Sequence, residues 1–247
     1  MIHCAYRIHV CLLATVAVLA AGIAAAAEKS DAQRAWEARV GEKAKSNPAF
    51  AWVEDDPALP RVLLIGDSIS IGYTVAVREA LAGAANVHRI PVNGGDTRRG
   101  LENLDAWLGE GKWDVIHFNW GLHDLKRLKD GQLDASSERE VALETYAANL
   151  RTLVERLKAT GATLIWCATT PVPEGAAGRI PGDEVEYNAA AAAIMAEEGV
   201  RVNDLYGHVK PVLDAHQSPA NVHFTPEGSA FLGKRVAEVI REALAGR

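Results

Sequence analysis

Two residues in this chain have the types and settings for acyl-transfer chemistry: Ser68, at the end of an apolar run, and His223, on a short loop before a helix start. Val62-Leu63-Leu64-Ile65 is the continuous apolar stretch of a strand buried on both faces, and it breaks abruptly into Gly66-Asp67-Ser68-Ile69-Ser70. Ligands of open α/β sheets collect just beyond the carboxyl ends of such strands, which is where Ser68 would sit. Apolar residues at three- and four-residue spacing from Ile71 to Ala82 put Ser68 at or near a helix N-terminus, whose dipole favours developing negative charge. An ordinary N-cap serine has the same setting. Far down the chain, His223 precedes a helix marked by Thr225 as N-cap, Pro226 at the first helical position and a periodic apolar run from Ala230 to Ala245. A surface histidine is the plain alternative there. Taken as a pair, a serine and a histidine each held at the end of an element read as nucleophile and general base.

Bringing them together asks for a parallel sheet. Strand-like segments near 61–65, 87–92, 113–119, 162–169 and 200–203 alternate with helical ones, the pattern of a parallel sheet covered on both faces. The clearest helix runs from about Glu138 to Thr160, with Val141, Tyr146, Leu150, Leu153, Val154 and Leu157 on one side and Gly161 as its stop. A polar helix over about Glu28 to Ser46 precedes the first strand. With right-handed crossovers the expected fold is a three-layer α/β/α sandwich around a flavodoxin-like five-stranded parallel sheet, ordered 2-1-3-4-5. That order gathers the ends of strands one, two and three. Two loops, 169–182 and 126–137, are expected to shape a pocket there. Arg98, Arg99, Arg127 and Arg179 lie near its mouth and would suit an acidic or hydroxyl-rich substrate, although charged loop residues more often serve only solvation.

The chain ends and composition bound the rest. Met1 to Arg7 carries one cation and no acid, Ile8 to Ala24 is almost wholly apolar, and Ala25-Ala26-Ala27 offers a small-residue cleavage site. Residues 1–27 therefore read as a secretory signal peptide, with a retained membrane anchor as the alternative. Residues 28–60 form an N-terminal helical extension and 61–247 the α/β domain. Of three cysteines only Cys167 lies beyond the leader, inside an apolar strand, so no internal disulfide forms and the thiol reads as structural. No metal-ligand spacing and no glycine-rich phosphate loop occurs, which suits a hydrolase without cofactor or metal. The net charge of −6, or −7 without Arg7, argues against nucleic acid and leaves no basic patch for stable membrane insertion once the signal is removed.

From about Arg61 to the C-terminus the chain resembles the SGNH hydrolases, also called GDSL esterases and lipases, in four separated blocks. Gly66-Asp67-Ser68-Ile69-Ser70 matches the first, with Ser68 at the nucleophile position and its own N–H among the oxyanion donors. Asn93-Gly94-Gly95 matches the second, where the resemblance assigns a glycine N–H to the oxyanion hole without deciding between Gly94 and Gly95. Trp120-Gly121-Leu122-His123-Asp124 matches the third, but His123 stands where the family has asparagine. An imidazole N–H can replace an amide as oxyanion donor in the right tautomer or as the cation, with Asp124 or a backbone carbonyl to fix that tautomer. The fourth block holds His223 but carries Ala220 where the family has its orienting aspartate. A Ser–His dyad steadied by a backbone carbonyl near Pro219 to Asn221 is the expectation. The Asn221 side chain and Asp214 are the alternatives. Asp67, Asn119, Asp124 and Asn221 are candidate supporting residues.

The resemblance implies a secreted or periplasmic serine esterase acting on a small ester, most plainly an O-acetyl group on a carbohydrate, since no long lipase-like lid is legible. A lysophospholipase or thioesterase is the rival within enzymes. A catalytically silent glycan-binding module on the same scaffold is the rival outside them, and the altered third and fourth blocks are its support.

Overall fold

The computed structural model describes Met1 and residues 29–246; beyond Met1, the signal segment expected over 1–27 lies outside the described residues. The central sheet has five parallel strands, β1 Arg61–Ile65, β2 Asn86–Arg89, β3 Val115–Phe118, β6 Thr163–Cys167 and β7 Arg201–Asn203, in the order β2-β1-β3-β6-β7. That is the expected 2-1-3-4-5 order with a two-stranded hairpin, β4 Leu128–Lys129 and β5 Gln132–Leu133, set between the third and fourth sheet strands. The sheet is dry because its strands are apolar on both sides: Val62, Leu63, Leu64, Ile65, Val115, Ile116 and Phe118 are all fully or almost fully buried.

Helices cover both faces, as a parallel sheet demands. On one side α2 Ser68–Ala80 packs against α8 Pro226–Ala245, and on the other α3 Thr97–Leu108, α4 Leu143–Lys158 and α5 Asp183–Glu198 lie in a row. The stripe of α4 buries Tyr146, Leu150, Leu153, Val154 and Leu157 as its periodicity requires. Its start is later than expected, at Leu143, because residues ahead of it pair sideways: Glu140 N–H bonds Lys126 O, Val141 N–H bonds Asp124 O, and Arg139 bridges Arg127. The N-terminal helix is also shorter than expected. α1 spans Asp31–Arg39, Val40 turns extended, and two single-turn helices at Glu42–Ala44 and Pro48–Phe50 carry the chain on toward β1. Short helices α6 Leu205–Val209 and α7 Leu213–His216, unforeseen in the sequence, bridge β7 to the loop that holds His223.

The contact between α2 and α8 sets the distance between Ser68 and His223, since α2 begins at Ser68 and α8 follows His223 within three residues. It is made close by Gly233, where a Cβ would fall 2.6 Å from Ala76 Cβ and 3.0 Å from Tyr73 O, and by Gly72, where one would fall 3.0 Å from Ser229 Oγ. Gly233→Val must therefore push the helices apart, at a cost of about 1–3 kcal/mol. A lower melting temperature together with slower reaction at Ser68 is the expected result; an unchanged melt would mean that α2 and α8 are not in contact there.

Candidate active site

Ser68 and His223 meet at the carboxyl end of the sheet. The Ser68 Oγ lies 2.8 Å from His223 Nε2. Ser68 is the first residue of α2 because Asp67 caps that helix: its buried carboxylate accepts from Ile69 N–H at 2.9 Å, which leaves the Ser68 N–H among the unpaired amides of the first turn.

The loop carrying His223 is tied at both ends. His216 O accepts from Thr225 N–H, Ser218 N–H bonds His223 O, and the buried Gln217 amide donates to Pro171 O at 2.8 Å and Val222 O at 3.3 Å. Within it, Ser218 to Asn221 close a turn whose third residue, Ala220, has φ of 51°, the left-handed region that L residues adopt at a cost. The position where an aspartate was expected is therefore a turn residue. Orientation of His223 comes from the next residue, Asn221, whose Oδ1 is 2.7 Å from His223 Nδ1 and 3.0 Å from His223 N–H. A backbone N–H can only donate, so the atom it meets is the amide oxygen, and the ring nitrogen sharing that oxygen must be the protonated one. Nδ1 thus carries the hydrogen and Nε2 faces Ser68 bare. This replaces the expected backbone carbonyl. Asp214, in α7, makes no hydrogen bond or ion pair to the ring among the described residues.

The two glycines of the second block have different partners, Gly94 a backbone oxygen and Gly95 a side-chain one. Gly94 donates its N–H to Gly66 O at 3.0 Å, and a Cβ there would stand 2.9 Å from the same oxygen, so Gly94 lets the ends of β1 and β2 touch and has no free donor. Gly95, with φ of 64°, lines an open cleft of about 740 Å³ together with Asn93 and His123, and its N–H is held by Asn93 Oδ1 at 2.9 Å. His123 is half-buried, with no hydrogen bond to its ring among the described residues. Burial lowers its pKa, Asp67 opposes that, and Lys126 and Arg179 add to it, so the ring is neutral at neutral pH. Asp124 does not orient it, contrary to expectation. Its carboxylate turns inward and accepts from Thr97 N–H at 2.9 Å and Thr97 Oγ1 at 2.6 Å, with the other oxygen buried and unpartnered. Asn119 likewise serves the frame, its Nδ2 bonding Cys167 O at 2.7 Å and Thr169 Oγ1 at 3.1 Å across β3 and β6.

Two further contributors gave no signal in the sequence. Arg89, fully buried on β2, donates to Ile90 O, Val92 O, Gly66 O and Ser70 Oγ, and burial lowers its pKa to about 9. It braces the turn on both sides of Ser68, through Gly66 O and Ser70 Oγ. Gln217 does the same for the histidine loop. Of the loop cations, Arg127 is bound to Asp183 at 2.9 Å and to Ser137 O, so it is part of the wall and not a free charge. Cys167 is buried beneath the site, where desolvation raises its pKa, consistent with an inert thiol.

Comparison with known proteins agrees with this architecture. The model of the GDSL-like lipase/acylhydrolase family matches residues 64–231. A GDSL esterase/lipase of Arabidopsis thaliana is 27% identical over 213 residues, covering 74% of this chain and 86% of that protein. Among solved structures, a lipase/acylhydrolase from Enterococcus faecalis superposes with a TM-score of 0.63 at 20% identity, over 74% of this chain and 96% of that one. An acetyl xylan esterase superposes at 0.61 with 13% identity over 73% and 99%, and an acetylxylan esterase from Geobacillus stearothermophilus at 0.60 with 19% over 73% and 94%. At these identities the likeness of structure is one of fold.

Asp124 makes the stability of this region pH-sensitive in a defined window. Burial raises its pKa from 3.8 to about 7, the Thr97 hydrogen bonds opposing. The fold therefore favours the protonated acid, a contribution fully present below the unfolded value and lost as pH rises through the folded one. Asp124→Asn, neutral at every pH, is expected to gain melting temperature relative to wild type between about pH 4 and 7 and to hold that gain above it. A difference that does not vary with pH would show that the carboxyl is not desolvated.

Proposed function

The chain belongs to the GDSL-like lipase/acylhydrolase family and is a carboxylic ester hydrolase, and on that footing we propose that it is a secreted or periplasmic serine esterase removing O-acetyl groups from a carbohydrate. The observation that carries the mechanism is the chain of contacts from Ser68 through His223 to Asn221, at 2.8 and 2.7 Å. Ser68 Oγ attacks the acyl carbon while His223 Nε2 accepts its proton. The carbonyl oxygen, now negative, takes hydrogen bonds from Ser68 N–H, Gly95 N–H and the His123 ring, the first stabilised further by the N-terminus of α2. Asn93 gives up or shares the Gly95 N–H at this point. Collapse of the intermediate expels the sugar alkoxide, which takes the proton from His223, and leaves an acetyl-Ser68. Water, deprotonated by His223, attacks that ester and restores Ser68 by the reverse proton path.

Asn221 takes the orienting role of the aspartate. In a serine protease, asparagine in that place costs about 10⁴-fold because it imposes the wrong tautomer. Here the His223 backbone N–H holds the amide oxygen toward the ring, so the tautomer is right and only the charge that would steady the imidazolium is missing. Asparagine serves the same purpose in Cys–His–Asn proteases. The missing aspartate, the strongest reason to think of a silent binding module, thus has a replacement in place.

The carbohydrate part of the reading is supported by the acetyl xylan esterases among the structural relatives and by the open, polar-walled cleft beside His123. Export is supported by the composition of residues 1–27. Among the described residues no helix is long and apolar enough to cross a membrane.

Reaction with a fluorophosphonate, followed by intact mass, tests the nucleophile. One adduct is expected on the wild-type protein and none on Ser68→Ala or His223→Ala; an unlabelled, folded wild type would refute the assignment. His123→Ala is expected to lower kcat by about 10²- to 10³-fold, as removal of other oxyanion donors does, while His123→Asn keeps much of the activity. Turnover unchanged in His123→Ala would remove the ring from the oxyanion hole.

A further inference from the structure

In a chain of net charge −6, the cleft lined by Gly95 and His123 gathers three cations, Arg98, Arg99 and Lys126. Arg98 is accounted for, bound to Asp96 at 2.6 Å and Glu140 at 3.2 Å. Arg99 and Lys126 line the same cleft as His123 and Gly95, and neither side chain has an ion pair among the described residues. Arg99 is held over Gly95, where a Cβ would come 2.6 Å from its Cδ. Two acids share the cleft, Glu102 and Asp96, and Asp96, paired with Arg98, also acts on Lys126.

Arg179 is the more telling case. It is half-buried, and its hydrogen bonds go to backbone carbonyls, Leu122 O at 3.0 Å and Ala177 O at 3.5 Å, rather than to any carboxylate. The first of these carbonyls belongs to the residue before His123. Burial lowers the Arg179 pKa, with only the charge of Asp67 acting against it. Its Nη2 has no hydrogen-bond partner among the described residues, so this partly desolvated guanidinium, fixed by its other two nitrogens, keeps a donor for an anion from outside. Its planar donors match a carboxylate in two-point geometry.

Resting on the reading of this site as a glycan deacetylase, we infer that Arg179, Lys126 and Arg99 form an anion-recognising wall around His123, and that the acetylated glycan bears carboxylate groups on its sugars. The acyl group is too small to carry the charge, so the anion lies on the alcohol portion of the ester. The three cations hold it while the acetyl carbonyl enters the oxyanion hole.

The test is acetate release from an acetylated oligogalacturonide and an acetylated xylo-oligosaccharide, compared for wild type, Arg179→Gln and the Arg99→Gln, Lys126→Gln double variant at low and high salt. The wild type is expected to favour the acidic glycan by about tenfold in kcat/KM, the size of one hydrogen bond to a charged group. That ratio is expected to fall toward one in both variants and at high salt. Equal rates on the two glycans, or a preference that survives both variants and salt, would overturn the inference and leave the esterase reading intact. Release of acetate from a simple aryl acetate but from neither glycan would overturn the inference together with the glycan assignment.

Discussion

One amide oxygen that accepts two hydrogen bonds sets the tautomer of His223 in this protein. Asn221 Oδ1 meets the backbone N–H of His223 and the ring Nδ1 of the same residue. The first contact identifies the second, because the backbone group has only a proton to offer. Nε2 is then the open base toward Ser68. The remainder of the structure serves to keep that oxygen, that ring and that hydroxyl in line: the turn with Ala220 in the left-handed region, the Gln217 clamp, and the close helix pair α2 and α8.

The other half of the site hangs on the Gly66 carbonyl, which accepts from Gly94 N–H and from buried Arg89. It ties the end of β1 to the end of β2 and so sets where Gly95 stands relative to Ser68. A side chain on Gly94 would break the contact. Similar economy of space recurs at Gly121, where a Cβ would strike Thr169, closing β3 onto β6 just ahead of His123. Oxyanion donors have to be rigid before the charge forms. The Gly94-to-Gly66 backbone bond, the buried Arg89 and the close approach of Gly121 to Thr169 supply such rigidity here.

Most of the fold was legible because it depends on short-range pattern. Val62 to Ile65 and Thr163 to Cys167 are apolar for the reason that both their faces are buried, and the stripe of α4 follows a period of 3.6. Ser68 and His223 were legible because each stands where a strand ends or a helix begins. What could not be read depends on partners distant in sequence. The start of α4 moved because Glu140 and Val141 bond to Lys126 and Asp124, and α1 ended early because Val40 and Gly41 leave the helix. Asp124 beside His123 suggested a partner for the ring, yet adjacent residues on a turn point apart, and Thr97 from α3 took the carboxylate. Arg89 had no acidic neighbour in sequence and makes no ion pair among the described residues; only the fold reveals that it binds carbonyls.

The substitution of a neutral orienter for a charged one is the central claim, and the ring nitrogens of His223 report on it directly. Nitrogen-15 NMR of histidine-labelled protein, with His223 assigned by comparison with His223→Gln, measures which nitrogen holds the proton in the neutral ring. The account requires a protonated Nδ1 and an unprotonated Nε2 in wild type, with that preference lost in Asn221→Ala. A neutral His223 protonated on Nε2 in the wild type, or a tautomer indifferent to Asn221, would contradict it.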